Sequence, residues 1–117
     1  MSALEWRPLT ADDVPQLVGL AQACLDADGG LPQLATEQMV RGLFLRGEGV
    51  AGRDDTGEIV AVASLNRDEQ GRFVATGLVH PQMRRQGHGE ALVEWCRERA
   101  AGEPIRVIAE TMSIEAE

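Results

Sequence analysis

The chain contains no lysine and no tyrosine, only two cysteines, and four aromatic residues in 117. Each shortage excludes something. All 11 basic residues are arginine and 19 residues are acidic, a net charge of −8. Such a surface is wrong for a non-specific grip on nucleic acid, which needs dense positive charge along the phosphates. Two cysteines cannot build a disulfide framework. The longest apolar run, residues 59–63, is far short of the roughly 20 residues that span a bilayer. Residues 1–10 carry Glu5 and Arg7 and no apolar h-region, so they are not a signal peptide. The expectation is a soluble protein of a reducing, cytoplasmic compartment, with no nucleic acid and no membrane as partner.

What is present is ordinary for a folded protein: 44% hydrophobic and 26% charged residues. The length suits one domain, so residues 1–117 are taken as a single, partial domain. Residues 4–7 read as a strand. Thr10, followed by Asp12 and Asp13, reads as a helix start. Val14, Leu17, Val18, Ala21, Cys24 and Leu25 recur at helical spacing until residues 26–30 stop the helix. Pro32 keeps the next stretch out of helix. Thr36 caps a second helix with Met39, Val40 and Leu43 on its apolar side, and residues 47–49 end it. The period then changes to two, with strands at 50–53, 59–65 and 73–79 separated by turn clusters at 54–57 and 66–71. A polar loop, 80–85, leads into a helix from about residue 86 to about 101, ended by Gly102 and Pro104. A last strand covers 105–109. Returning through a helix, it should lie parallel to 73–79. Cys24 and Cys96 fall on apolar helical faces and read as buried thiols. The fold class is an α/β mixture of the α+β type.

The chemistry concentrates where strand 73–79 gives way to the following helix. The first N–H groups of a helix have no partner within it, and the helix dipole adds partial positive charge there. Gly87 and Gly89 let a ligand approach the backbone, and Arg84 and Arg85 add charge. Together they describe a nest for a phosphate or diphosphate. A Walker loop is excluded, because Gly89 is followed by Glu90 and Ala91 rather than Lys and Ser/Thr. A dinucleotide fingerprint is the weaker alternative. Gly87-His88-Gly89 opens one and Glu110 lies about 20 residues on, but Leu92 stands where the third glycine belongs. The histidines and cysteines are too scattered for a metal site, and none is expected.

The run Val79-x-Pro81-x-x-Arg84-x-x-Gly87-x-Gly89 resembles the acetyl-CoA motif V-x-P-x-x-[RQ]-x-x-G-x-[GA] of the GNAT superfamily of N-acetyltransferases. Residues 77–89 are also similar to the N-terminal domain of tandem members such as mycothiol synthase. The resemblance implies a mixed sheet, an antiparallel meander plus one parallel strand, with flanking helices. It implies acetyl-CoA as co-substrate, no metal, and direct attack by a small-molecule or peptide amine. The implied cofactor-binding residues are Leu78, Val79, Arg84, Arg85, Gln86, Gly87, His88 and Gly89. Amides across Arg84–Gly89 would hold the diphosphate. The edge of the strand at Leu78 and Val79 would pair with the pantetheine arm, in a gap between strands 73–79 and 105–109.

The catalytic residues stay unassigned. Many members of the superfamily carry a Glu on the strand equivalent to 73–79 and a later Tyr; here that strand has no acid and the chain has no Tyr. Glu110 and Ser113 are poor substitutes, and His80 reads as structural. His88 is expected to point away from the nest. Asp26, Asp28 and Glu37 read as an acidic rim beside the first inter-helix loop, suited to a cationic amine. The resemblance implies a further C-terminal helix and strands after residues 105–109, and residues 110–117 resemble the lead-in to that helix. The expectation is therefore a piece of a longer protein, with a naturally minimal member as the alternative; in either case the last strand needs cover, from a second copy or from a C-terminal portion. A non-catalytic acetyl-CoA-binding module, half of a tandem transferase, is the alternative to an enzyme.

Overall fold

The computed structural model describes residues 4–29, 32–84 and 86–113, the side chains of residue 34 and of 107–113 excepted. Strand β1 (Glu5–Pro8) leads through a 3-10 turn, Ala11–Asp13, into helix α1 (Val14–Asp28). The Asp13 carboxylate organises this entry. It accepts the Thr10 backbone N–H at 2.9 Å and pairs with the Arg53 guanidinium at 2.5 Å. Asp13 is buried, so the pairing matters: a lone buried carboxylate would be strongly destabilising. Gly29 ends α1 at φ 77°, a conformation glycine adopts without steric cost. A second 3-10 turn, Pro32–Ala35, stands where the sequence predicted only loop, and Thr36 then caps α2 (Glu37–Phe44) by accepting the Met39 N–H at 3.3 Å.

Strands β2 (Glu48–Arg53), β3 (Ile59–Arg67) and β4 (Phe73–Val79) form the antiparallel meander. Its two turns use one device. Asp54 accepts the N–H groups of Thr56 and Glu58, and Asp68 those of Gln70 and Arg72, at 2.9–3.1 Å. A hydrogen bond from the Thr56 side chain lowers the Asp54 pKa, and the Arg72 backbone bond lowers that of Asp68. Helix α3 (His88–Ala100) crosses back and β5 (Ile105–Ser113) pairs parallel to β4. The strand order is β1-β2-β3-β4-β5.

Helices cover both faces of this sheet. Leu17, Leu20, Val40 and Phe44 of α1 and α2 pack with Ile59, Val62 and Leu78 on one side. Leu92 and Cys96 of α3 pack with Ala61, Ala63, Ala75 and Val79 on the other. Burial on both faces explains why β3 reads as a nearly continuous apolar run instead of a strict alternation.

The end of the chain departs from expectation. β5 runs beyond 109, and residues 110–113, expected to lead into a helix, belong to the strand. The gap expected between β4 and β5 is reduced to an interruption at Thr76, opposite residues 108–111. Ala75 pairs with Val107, the register then shifts, and Gly77 pairs with Met112 and Leu78 with Ser113. An open strand edge leaves backbone groups unpaired, and the continuing chain meets that edge again at Gly77 and Leu78. Residues 114–117 lie outside the described residues.

Candidate functional site

β4 ends at Val79, buried at the junction of strand, loop and α1. Its carbonyl accepts two hydrogen bonds, from Arg84 Nε at 3.1 Å and from the Cys24 thiol at 3.5 Å. Leu78 is also buried, packed toward α1. The chain leaves the strand through His80, whose N–H donates to the Val60 carbonyl at 2.8 Å and whose Nδ1 accepts the Gln82 N–H at 3.1 Å. His80 thus caps the short 3-10 turn Pro81–Met83, a structural task. Met83 packs against the core beneath α3.

Arg84 turns the other way. Its Nη1 and Nη2 donate to both carboxylate oxygens of Asp28 at 2.7 and 2.6 Å, a bidentate, charge-assisted pair. The Asp28 bonds hold the guanidinium even more firmly protonated than usual. Sequence reasoning placed Asp28 on a solvated acidic rim; the structure binds it to the motif arginine. Nothing local signals that contact, because it joins positions 56 residues apart. Of the other rim acids, Asp26 accepts from Gln22 and Glu37 from Arg41 on their own helices.

Gln86 and Gly87 are exposed, and His88 and Gly89 half-buried. Gly87 caps α3 at φ 84°, and a Cβ there would meet open space. The sequence predicted helix from about 86; the left-handed Gly87 delays it to His88. The first helical bond runs from Ala91 N–H to the Gly87 carbonyl at 3.0 Å. The amides of His88, Gly89 and Glu90 therefore precede the helical ladder, and helix geometry directs them outward from the end of α3. Burial lowers the His88 pKa, and its Nε2 has no hydrogen-bond partner among the described residues. Arg85 lies outside the described residues. The result is a glycine-opened helix end beside the terminus of β4, an arrangement that receives anions.

The family model of the acetyltransferase (GNAT) family matches residues 33–114. The chain belongs to the GNAT acetyltransferase family. A mycothiol acetyltransferase of Thermomonospora curvata is 37% identical over 103 residues, covering 86% of this chain and 33% of that protein. The crystal structure of a GCN5-related N-acetyltransferase from Sphaerobacter thermophilus is 30% identical with a TM-score of 0.68, over 86% of this chain and 34% of that one. A predicted acetyltransferase from Clostridium acetobutylicum, crystallised with acetyl-CoA, shares the fold at 15% identity and a TM-score of 0.68, over 92% of this chain and 81% of its own. This chain spans about a third of the length of the curated relatives it matches.

The GNAT motif residues Val79, Pro81, Arg84, Gly87 and Gly89 all fall on the strand end, loop and helix start just described. No acid lies on β4. The buried polar side chains of the central strands are Ser64 and Thr76, opposite each other in register. Ser64 donates its hydroxyl to the Leu43 carbonyl. Neither hydroxyl would take a proton from an ammonium near neutral pH. Glu110 and Ser113 lie on β5, and their side chains are outside the description. Among the described residues no helix is long and apolar enough to cross a membrane, and no cluster of metal-ligating side chains occurs.

Proposed function

We propose that this chain binds acetyl-CoA and takes part in acetyl transfer to an amine. The observation that carries the reading is the start of α3, where Gly87 in a left-handed conformation opens a helix end beside β4. The amides of His88, Gly89 and Glu90 suit the diphosphate of coenzyme A. Its thioester then lies toward the end of β4. A backbone N–H there would stabilise the oxyanion as the amine nitrogen attacks the carbonyl carbon. The C–S bond breaks, the thiolate leaves, and the ammonium proton passes to solvent or to a base. The crystallised relative with acetyl-CoA supports this choice of donor.

Magnitudes favour contacts beyond the diphosphate. A charge-assisted hydrogen bond contributes roughly 1.5–3 kcal/mol. Three, one for each amide of His88, Gly89 and Glu90, give roughly 4.5–9 kcal/mol gross, against an association cost of about 4–15 kcal/mol. Micromolar affinity, about −8 kcal/mol, therefore needs the pantetheine arm as well.

The absence of an acid on β4 and of any tyrosine favours a second reading: a binding module whose catalytic groups lie on another part of the protein or are missing. Calorimetry with acetyl-CoA and turnover across an amine panel separate the two. Both predict binding, and only the first predicts turnover. The double variant Arg84→Glu/Gly87→Asp is expected to lose binding, and unchanged affinity in that variant would defeat both readings.

A further inference from the structure

We infer that Asp28, on the last turn of α1, is a positioning residue for the anion-binding loop: it acts through Arg84 to hold the segment between β4 and α3. The inference rests on the acetyl-CoA reading above and goes beyond it, because Asp28 lies outside the motif.

Four observations carry it. Asp28 sits one residue before the Gly29 cap, at the negative end of the α1 dipole, and no basic residue occupies that last turn. A carboxylate there is unfavourable unless a cation reaches it. Arg84, from the opposite end of the sequence, supplies that cation through two bonds of 2.6–2.7 Å. The same guanidinium donates Nε to the Val79 carbonyl, so one side chain ties the loop to both α1 and the end of β4. Finally, the Arg84 side chain is only 13% exposed, so the arginine end of the pair is sheltered, while the Asp28 side chain, 37% exposed, still meets water.

The geometry also assigns the division of labour. Each terminal nitrogen of Arg84 gives one of its two N–H groups to Asp28, so a diphosphate would have to share the guanidinium with that carboxylate. The backbone amides after Gly87, which have no partner within the helix, then carry most of the grip on the anion, while Arg84 fixes where they stand. Met83 anchors the loop against the α3-side core and Arg84 against α1, so adjacent residues pin it on opposite sides.

The two roles open to Asp28 predict opposite signs. If it positions the loop, Asp28→Asn weakens acetyl-CoA binding; if it masks Arg84, the same change tightens it. The test is calorimetry with acetyl-CoA, together with NMR titration of S-acetylpantetheine, which has no diphosphate. Asp28→Asn is expected to weaken acetyl-CoA about tenfold and leave S-acetylpantetheine within about twofold, since one charge-assisted bidentate contact is lost at the diphosphate end. Asp28→Glu, which keeps the carboxylate, is expected to stay within about threefold of wild type. Arg84→Lys keeps the charge but not the fork, and is expected to behave like Asp28→Asn; the double variant should lose no more than the worse single one. If Asp28→Asn does not fold, Arg84→Lys carries the same expectations. Wild-type protein that does not bind acetyl-CoA overturns the functional reading, and this inference with it. Wild-type binding with unchanged or tighter binding in Asp28→Asn overturns the inference alone. So does a parallel loss of S-acetylpantetheine, which would mark a general structural defect.

Discussion

His88 occupies the first position of α3, where helix and loop partly bury its ring. Desolvation lowers its pKa below the usual 6.5. The sign follows directly. Below about pH 6.5 the unfolded chain takes up a proton that the folded chain resists, so stability falls as the pH falls, until the folded histidine protonates too. Above that range His88 is neutral in both states and contributes no slope. Melting temperature measured between about pH 7 and about pH 5.5 should therefore decline in the wild type. His88→Gln should reduce that decline, and an unchanged slope would assign it to other groups. The thiols behave differently. Cys96 is buried on α3 and its pKa is pushed up to about 11, which makes it a core residue rather than a nucleophile. Cys24 is buried as well and donates to Val79. The sequence read both correctly from their places on apolar helical faces, because helical spacing alone decides which face is buried. It could not read the Asp28–Arg84 pair, because no local pattern links residues brought together by a crossover.

Among the elements, β3 and β4 were the most legible. Their apolar content and their Asp-and-Gly turns match the observed strands almost residue for residue. Helix ends were legible where a cap was present, as at Thr36 and Gly29. β5 was not. Residues 110–113 carry mixed polarity and no turn signal that would end the strand, and the pairing of Met112 and Ser113 with β4 is decided by the open edge they meet. That pairing has a consequence under the proposed function. The pantetheine arm and residues Met112 and Ser113 compete for the same edge of β4 at Gly77 and Leu78. Saturating acetyl-CoA is expected to speed hydrogen exchange at the amides of 112 and 113 while protecting those of 88–90. Unchanged exchange at 112 and 113 would show that the arm lies elsewhere.

Across the whole molecule, stability rests on two apolar layers that share one sheet. Phe44, 1% exposed, belongs to the layer under α1 and α2, and Leu92, 0% exposed, to the layer under α3. Phe44→Ala should cost about 3–5 kcal/mol and Leu92→Ala about 2–5 kcal/mol in denaturant unfolding. If the sheet couples the layers, either variant lowers the midpoint of one cooperative transition. Two separate transitions would mean that the layers unfold independently.

By itself the sequence determined the order of the elements, the buried faces, and the glycine-opened helix start beside the end of β4. These are local properties, set by periodicity, capping and the positive φ that glycine at position 87 adopts without steric cost. The tertiary structure decided which charges meet, how far β5 runs along β4, and that Arg84 faces a carboxylate. Those outcomes depend on distances between residues far apart in the chain, which exist only once helices have packed on both faces of the sheet.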